Sequence, residues 1–138
     1  MKKLPPFVHW LPAIIYMLII FCFSSRPAPE AVKAVPIYEG IKLVHLAEYG
    51  ILALLFIWAL FKTHGQKTRN NFSLNKILLI AVLLTTAYGV IDEAHQYFVP
   101  ERTAKLIDVF TDFLAALAVC GAVKGLAWNT RTQEHSTQ

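Results

Sequence analysis

Apolar residues run almost unbroken through four stretches of this chain, roughly Phe7–Phe23, Leu43–Phe61, Ile77–Val99 and Leu106–Trp128, and polar residues gather in the breaks between them. Each stretch is near the ~20 residues that a helix rising ~1.5 Å per residue needs to cross ~30 Å of hydrocarbon. The pattern predicts four transmembrane helices, at about 7–24, 42–62, 76–98 and 105–127, packed as an all-α antiparallel bundle in a single domain spanning 1–138. The breaks differ in character. The first, from Arg26 to about Gly40, holds Pro27, Pro29 and Pro36 and reads as an irregular loop. The second, His64 to Asn75, is polar and basic. The third is only Pro100–Glu101–Arg102–Thr103, which makes helices three and four antiparallel neighbours. A polar tail, 129–138, is expected to be disordered. A cleaved signal peptide is the rival reading of the first span, but CFSSRPAPEA lacks a small-x-small site directly after the apolar core, so an uncleaved helix is expected.

Composition supports this reading. The 138 residues are 56% hydrophobic, with a mean hydropathy of +0.48, and the breaks leave no room for a soluble domain. The net charge of +4 would suit nucleic acid only if the basic residues shared one soluble face. They lie instead in loops and tails beside the spans, so no nucleic-acid partner is expected. Lys2, Lys3, Lys62, Lys67, Arg69, Lys76, Lys124 and Arg131 fall on one side of the bundle, and Arg26, Lys33, Lys42, Arg102 and Lys105 on the other. Basic residues favour the cytoplasm, which places both termini inside and the chain in a cell membrane as a multi-pass protein. Cys22 and Cys120 lie within the spans and read as two small buried hydrophobes without a disulfide.

Against that apolar background, five carboxylates stand out: Glu48, Asp92, Glu93, Asp108 and Asp112 lie inside or at the ends of spans. A charge at the bilayer centre costs at least about 2.5–3.5 kcal/mol on insertion scales, so membrane helices carry one only where it is paired, hydrated or used. Topology gives the five one address. His45, Glu48 and Tyr49 occupy the first turns of helix two, Asp92, Glu93, His95 and Gln96 the last turns of helix three, and Asp108 and Asp112 the first turns of helix four. All fall at the same end, the outer one in this orientation. His45, Glu48 and Tyr49 share a face by their i, i+3, i+4 spacing, as do Asp92, His95 and Gln96. On helix four the same side is expected to continue through Thr111, Ala115, Ala118 and Ala122, small residues that admit a close neighbour. Gly121 and Gly125 form a GxxxG near the other end, interrupted by Lys124.

Several chemistries fit this cluster. It could be a polar network holding the helices together, its carboxylates paired with Arg102, Lys105, His45 and backbone donors. It could hold a divalent metal, with His45, Glu48, Asp92 and Glu93 as candidate ligands. The spacing matches no HExxH or cysteine-rich zinc pattern, so no cofactor is expected. It could do acid–base or electrostatic work on an amphiphile, with Arg102 gripping a phosphate or carboxylate in bidentate fashion.

Three segments carry a family resemblance. KLVHLAEYGILALLF contains H-x-x-E-Y, GVIDEAHQYFVPERTAKLIDVF contains D-E-x-x-Q-x-F-x-P-x-R, and DVFTD opens helix four with D-x-x-x-D. Over about residues 15 to 125, together with Ser24–Ser25 at the end of helix one, the chain resembles the VanZ-like family. Two positions depart from it: Glu101 stands where the family commonly has glycine, and Asp112 where asparagine is frequent. The resemblance implies a bacterial plasma-membrane protein of four helices, in a family whose founding member is associated with low-level teicoplanin resistance. It implies no settled reaction. The expected function is binding, or chemical modification, of an amphiphilic or lipid-linked envelope ligand. Its site would be a polar pocket of His45, Glu48, Tyr49, Asp92, Glu93, Gln96, Arg102, Asp108 and Asp112, with membrane lipids as further partners. The alternative is a non-enzymatic accessory or transport protein whose carboxylates carry protons or ions, which four helices would achieve most readily as a homo-oligomer.

Overall fold

The computed structural model describes residues 5–26, 38–64, 73–102 and 104–136. All secondary structure among them is helical. A short 3-10 turn, Pro6–Trp10, leads into α1, Leu11–Ser24, and α2, α3 and α4 follow as Tyr38–His64, Leu74–Gln96 and Leu106–Ser136. Four segments have the length and hydropathy to cross a membrane: Pro6–Ser24, His45–His64, Leu74–Gln96 and Leu106–Asn129. The four predicted spans are therefore present, and the chain is a multi-pass membrane protein.

Local signals explain most of the boundaries. Pro12 occupies the first turn of α1, where its missing N–H costs nothing. Ser73 caps α3, its side chain accepting from the Asn75 amide at 3.2 Å. Helix α3 ends at Gln96, two residues before the predicted boundary. Amides of Phe98 and Val99 then bond back to His95 and Gln96, and Val99 precedes Pro100, which disfavours the helical region for it. The link to α4 is thus longer than the four residues expected. Tyr97 and Phe98, freed from the helix, are among the most exposed large side chains, as aromatic residues are at membrane–water interfaces. Helix α4 continues to Ser136, so the 129–138 segment expected to be disordered is helical over most of its length; TRTQEHS contains no glycine or proline to stop it.

The core is a three-helix unit. Helices α2, α3 and α4 pack on one another along their lengths, whereas α1 leans on α2 and touches α3 slightly. Tyr49, Leu52, Ala53 and Phe56 of α2 meet Ile77, Ala81 and Tyr88 of α3 and Ala115, Ala116 and Cys120 of α4. The outward surfaces carry Ile15, Leu18, Leu54, Leu79, Leu83, Ile91 and Leu117, suited to lipid. Three details refine the expected faces. Asp112 and Ala115 of the expected side face inward, but Ala118 and Ala122 are exposed: beyond Ala115 the inward stripe of α4 continues through Ala116 and Cys120 instead. A Cβ on Gly121 or Gly125 would meet nothing within 4 Å, so the GxxxG serves no contact within the described residues. Cys22, expected to be buried, is exposed on α1, while Cys120 is buried; both are free thiols.

Candidate functional site

The ends of four helices converge at one end of the bundle: the C-terminal turns of α1 and α3 and the N-terminal portions of α2 and α4. There Asp92 is 3% exposed and forms the first of two polar nodes. Its Oδ1 accepts from Ser24 Oγ of α1 at 2.5 Å. Its Oδ2 accepts from Tyr49 Oη of α2 at 3.2 Å and from Gln96 Nε2, one turn along α3, at 2.7 Å. Three helices thus donate to one carboxylate. Charge-assisted hydrogen bonds of this kind offset the desolvation of a buried anion.

The second node centres on Asp112, which is fully buried. Neither of its oxygens has a hydrogen-bond partner. Its Oδ1 lies 3.5 Å from His45 Nδ1, an ion pair when the imidazole is protonated but longer than the ~2.7–3.2 Å of an ordinary N–H···O hydrogen bond. Gly89 makes room for it, because a Cβ on residue 89 would fall 2.7 Å from Asp112 Oδ2 and 3.4 Å from Tyr49 Cε1. Here absence of a side chain permits close approach of α3 and α4. His45 stacks nearly parallel to Tyr49 at 6.0 Å, so the two nodes touch through α2.

Glu93 bridges the nodes to the turn. It is 6% exposed, its Oε2 accepts from the Lys105 amide at 2.8 Å, and its Oε1 is buried without a partner. Asp108 lies one turn before Asp112, half-buried. Ligand atoms of His45, Glu93 and Asp108 all lie within 4.8 Å of one another. Of the metal candidates read from sequence, His45 and Glu93 belong to this group and Glu48 and Asp92 do not.

Arg102 reaches back to α1. Its Nε donates to the Arg26 carbonyl at 3.1 Å and its Nη2 to the Phe23 carbonyl at 3.3 Å, a cation on the open carbonyls of a helix C-terminus. One edge of its fork is therefore committed to the fold, leaving the Nη1–Nη2 edge as the one with which it could meet an anion. Glu101, beside it, has φ 64°. That left-handed conformation favours glycine, the residue the resemblance leads one to expect there.

A cavity of about 250 Å³ opens among these groups, lined by Ser24, His45, Glu48, Asp92, Gln96 and Arg102, with Ile20 and Phe23 as its apolar side. A larger groove, about 650 Å³, lies at the opposite end beside Ser73, Lys124 and Trp128. It holds none of the carboxylates, and volume alone does not make it the site. Two contributors lie outside the sequence-predicted set: Ser24, which reads only as a helix end, and Gly89, whose one signal is a small residue one turn before a buried carboxylate. Tyr88, one turn before Asp92 on α3, donates to the Met17 carbonyl at 2.5 Å. His95 pairs with Ser25 Oγ at 2.9 Å through Nε2 and stacks on Phe21, an interfacial histidine tied to α1.

A family model described as VanZ/LLP1 matches residues 7–127. The chain belongs to that family. No curated protein and no solved structure matches it. The matched region takes in both polar nodes, the Glu101 turn and the cavity, so these features lie within the family's common domain.

Proposed function

We propose that the chain binds an amphiphilic cell-envelope ligand, head group in the cavity of Ser24, His45, Glu48, Asp92, Gln96 and Arg102 and hydrocarbon along the lipid-facing surface. The observation that carries this reading is the cavity itself: about 250 Å³ with Ile20 and Phe23 on one side and ionisable groups on the other. Ligand pockets for whole small molecules run ~300–1,000 Å³, so this one suits a head group whose remainder stays in the membrane. Glu48 and the free edge of Arg102 offer opposite charges, which suits a head carrying both amine and anion. With the basic residues biased to the other end, the cavity faces the outer leaflet of a bacterial plasma membrane, and both termini are cytoplasmic.

An acylated glycopeptide such as teicoplanin is one ligand of this class, and a connection to glycopeptide resistance is part of the proposal. Native mass spectrometry of the detergent-solubilised protein tests it with three probes: teicoplanin, the same scaffold without its acyl chain, and phosphatidylglycerol. Retention of the acylated probe, weakened about tenfold (~1.4 kcal/mol) by Glu48→Gln, is the expected result. Equal retention by wild type and by a Glu48→Gln, Arg102→Ala variant would remove the cavity from the account.

A further inference from the structure

We propose that His45, Glu93 and Asp108 hold one divalent first-row cation, Zn²⁺ or Mn²⁺, with Asp112 as the positioning residue behind His45. The three come from three helices, and their ligand atoms converge within 4.8 Å of one another. With metal–ligand bonds of ~2.0–2.2 Å, small side-chain adjustments bring such a set onto one ion. One imidazole and two carboxylates suit Zn²⁺ and Mn²⁺ better than the all-oxygen preference of Mg²⁺ or Ca²⁺.

Convergence alone would not separate a metal site from a cluster of acids. The unpartnered atoms do. Asp112 is fully buried, lacks any hydrogen bond at either oxygen, and points Oδ1 at His45 Nδ1 from 3.5 Å. Glu93 is 6% exposed and keeps Oε1 buried without a partner, while the Lys105 amide fixes its other oxygen. Buried carboxylates without donors are costly. A cation held by Glu93 and Asp108 offsets that cost directly, and a metal-bound histidine commonly gives its other ring nitrogen to a carboxylate, which fixes tautomer and ring orientation. Asp112 stands where that carboxylate belongs. Asp92, with three donors, has no comparable need and is not a ligand.

Three protein ligands leave a coordination position open. His45 also lines the cavity, so an anionic head group there could complete the ion's shell; that last step rests on the proposed function, whereas the ion site does not.

The test uses tag-free protein in detergent, Zn²⁺ or Mn²⁺ alone as titrant, and Co²⁺ as a spectroscopic substitute. One ion per chain is expected, with a rise in unfolding temperature on saturation. Glu93→Gln and Asp108→Asn should each weaken binding at least about tenfold, and Asp112→Asn should weaken it about 10–100-fold, as loss of an outer-shell partner does, with an altered Co²⁺ visible band. Wild-type protein that binds no stoichiometric ion overturns the proposal without reference to any variant. So does binding that survives the Glu93→Gln, Asp108→Asn double change. Glu48→Gln separates the two functional readings: loss of the acylated probe with Zn²⁺ retained means that the ion site stands whatever becomes of the pocket.

Discussion

Asp92 and Asp112 occupy the same end of the bundle, face the same core, and are almost equally buried, yet their surroundings are opposite. Asp92 receives donors from Ser24, Tyr49 and Gln96. Asp112 receives none and has for company a histidine at 3.5 Å and the bare backbone at Gly89. One carboxylate completes the fold. The other is a standing cost of the fold, of the kind that native structures keep where a ligand or a reaction uses it. The comparison also assigns tasks to the rest of the site: residues around Asp92 join α1, α2 and α3, whereas those around Asp112 leave acceptor capacity unfilled.

The largest effect should come from removing the satisfied acid. Asp92→Ala strands the Tyr49 hydroxyl and the Gln96 amide, leaves Ser24 only the Phe21 carbonyl at 3.2 Å, and opens a void. A loss of about 2–4 kcal/mol is expected, read as lowered unfolding temperature in detergent and reduced accumulation in membranes. Transmembrane hydrogen bonds average only about 0.6 kcal/mol, so a loss below 1 kcal/mol would mean that the node contributes little and that the contrast with Asp112 is only geometric.

Gly89→Ala attacks the other node through packing. Its Cβ would fall 2.7 Å from Asp112 Oδ2, with Asp112 Cβ and Tyr49 Cε1 each at 3.4 Å. Overpacking of this kind costs about 1–3 kcal/mol. The cost should shrink when Asp112 is also replaced by Ala, because the two are in contact and their effects are not additive. An unchanged cost in the double variant would place the strain at Tyr49 instead.

How far the sequence revealed all this depends on what each feature requires. Hydropathy located the four spans, and helical spacing brought Glu48, Asp92, Glu93, Asp108 and Asp112 to one end, because both depend on averages over many residues. Azimuth depends on single residues. A difference of one position turns a side chain by ~100°, so Ala118 and Ala122 face outwards where Ala116 and Cys120 face the core; Tyr88 shares the face of Asp92 one turn away, but its hydroxyl is taken by the Met17 carbonyl of α1. Which acid is satisfied was not legible at all, since Ser24 lies 68 positions from Asp92 and nothing local links them. The turn was partly legible. Glu101 stands where the family commonly has glycine, and its φ of 64° supplies the reason. An L-residue in that region costs roughly 1–2 kcal/mol, partly offset by the lower chain entropy of Glu relative to Gly in the unfolded state. Glu101→Gly should therefore stabilise the protein by up to about 1 kcal/mol and leave Zn²⁺ affinity unchanged, because the turn holds α4 against Glu93 without contributing a ligand.

The smallest effect is the most discriminating. Asp112→Asn keeps the shape and volume of the side chain while replacing a buried carboxylate that no donor satisfies. If Asp112 were a stabilising member of a polar network, this change would cost stability as Asp92→Ala does. Instead its carboxylate is under-satisfied, and replacing a poorly paired buried charge by a neutral isostere is commonly neutral or favourable. The expected change is within about 0.5 kcal/mol of wild type or slightly stabilising, measured without added metal. The same variant should lose the metal-induced rise in unfolding temperature. Stability retained with ligation lost is what an acid kept for binding produces. A drop of 2 kcal/mol or more without metal would instead make Asp112 a structural partner of His45, and the two nodes would then differ in geometry alone.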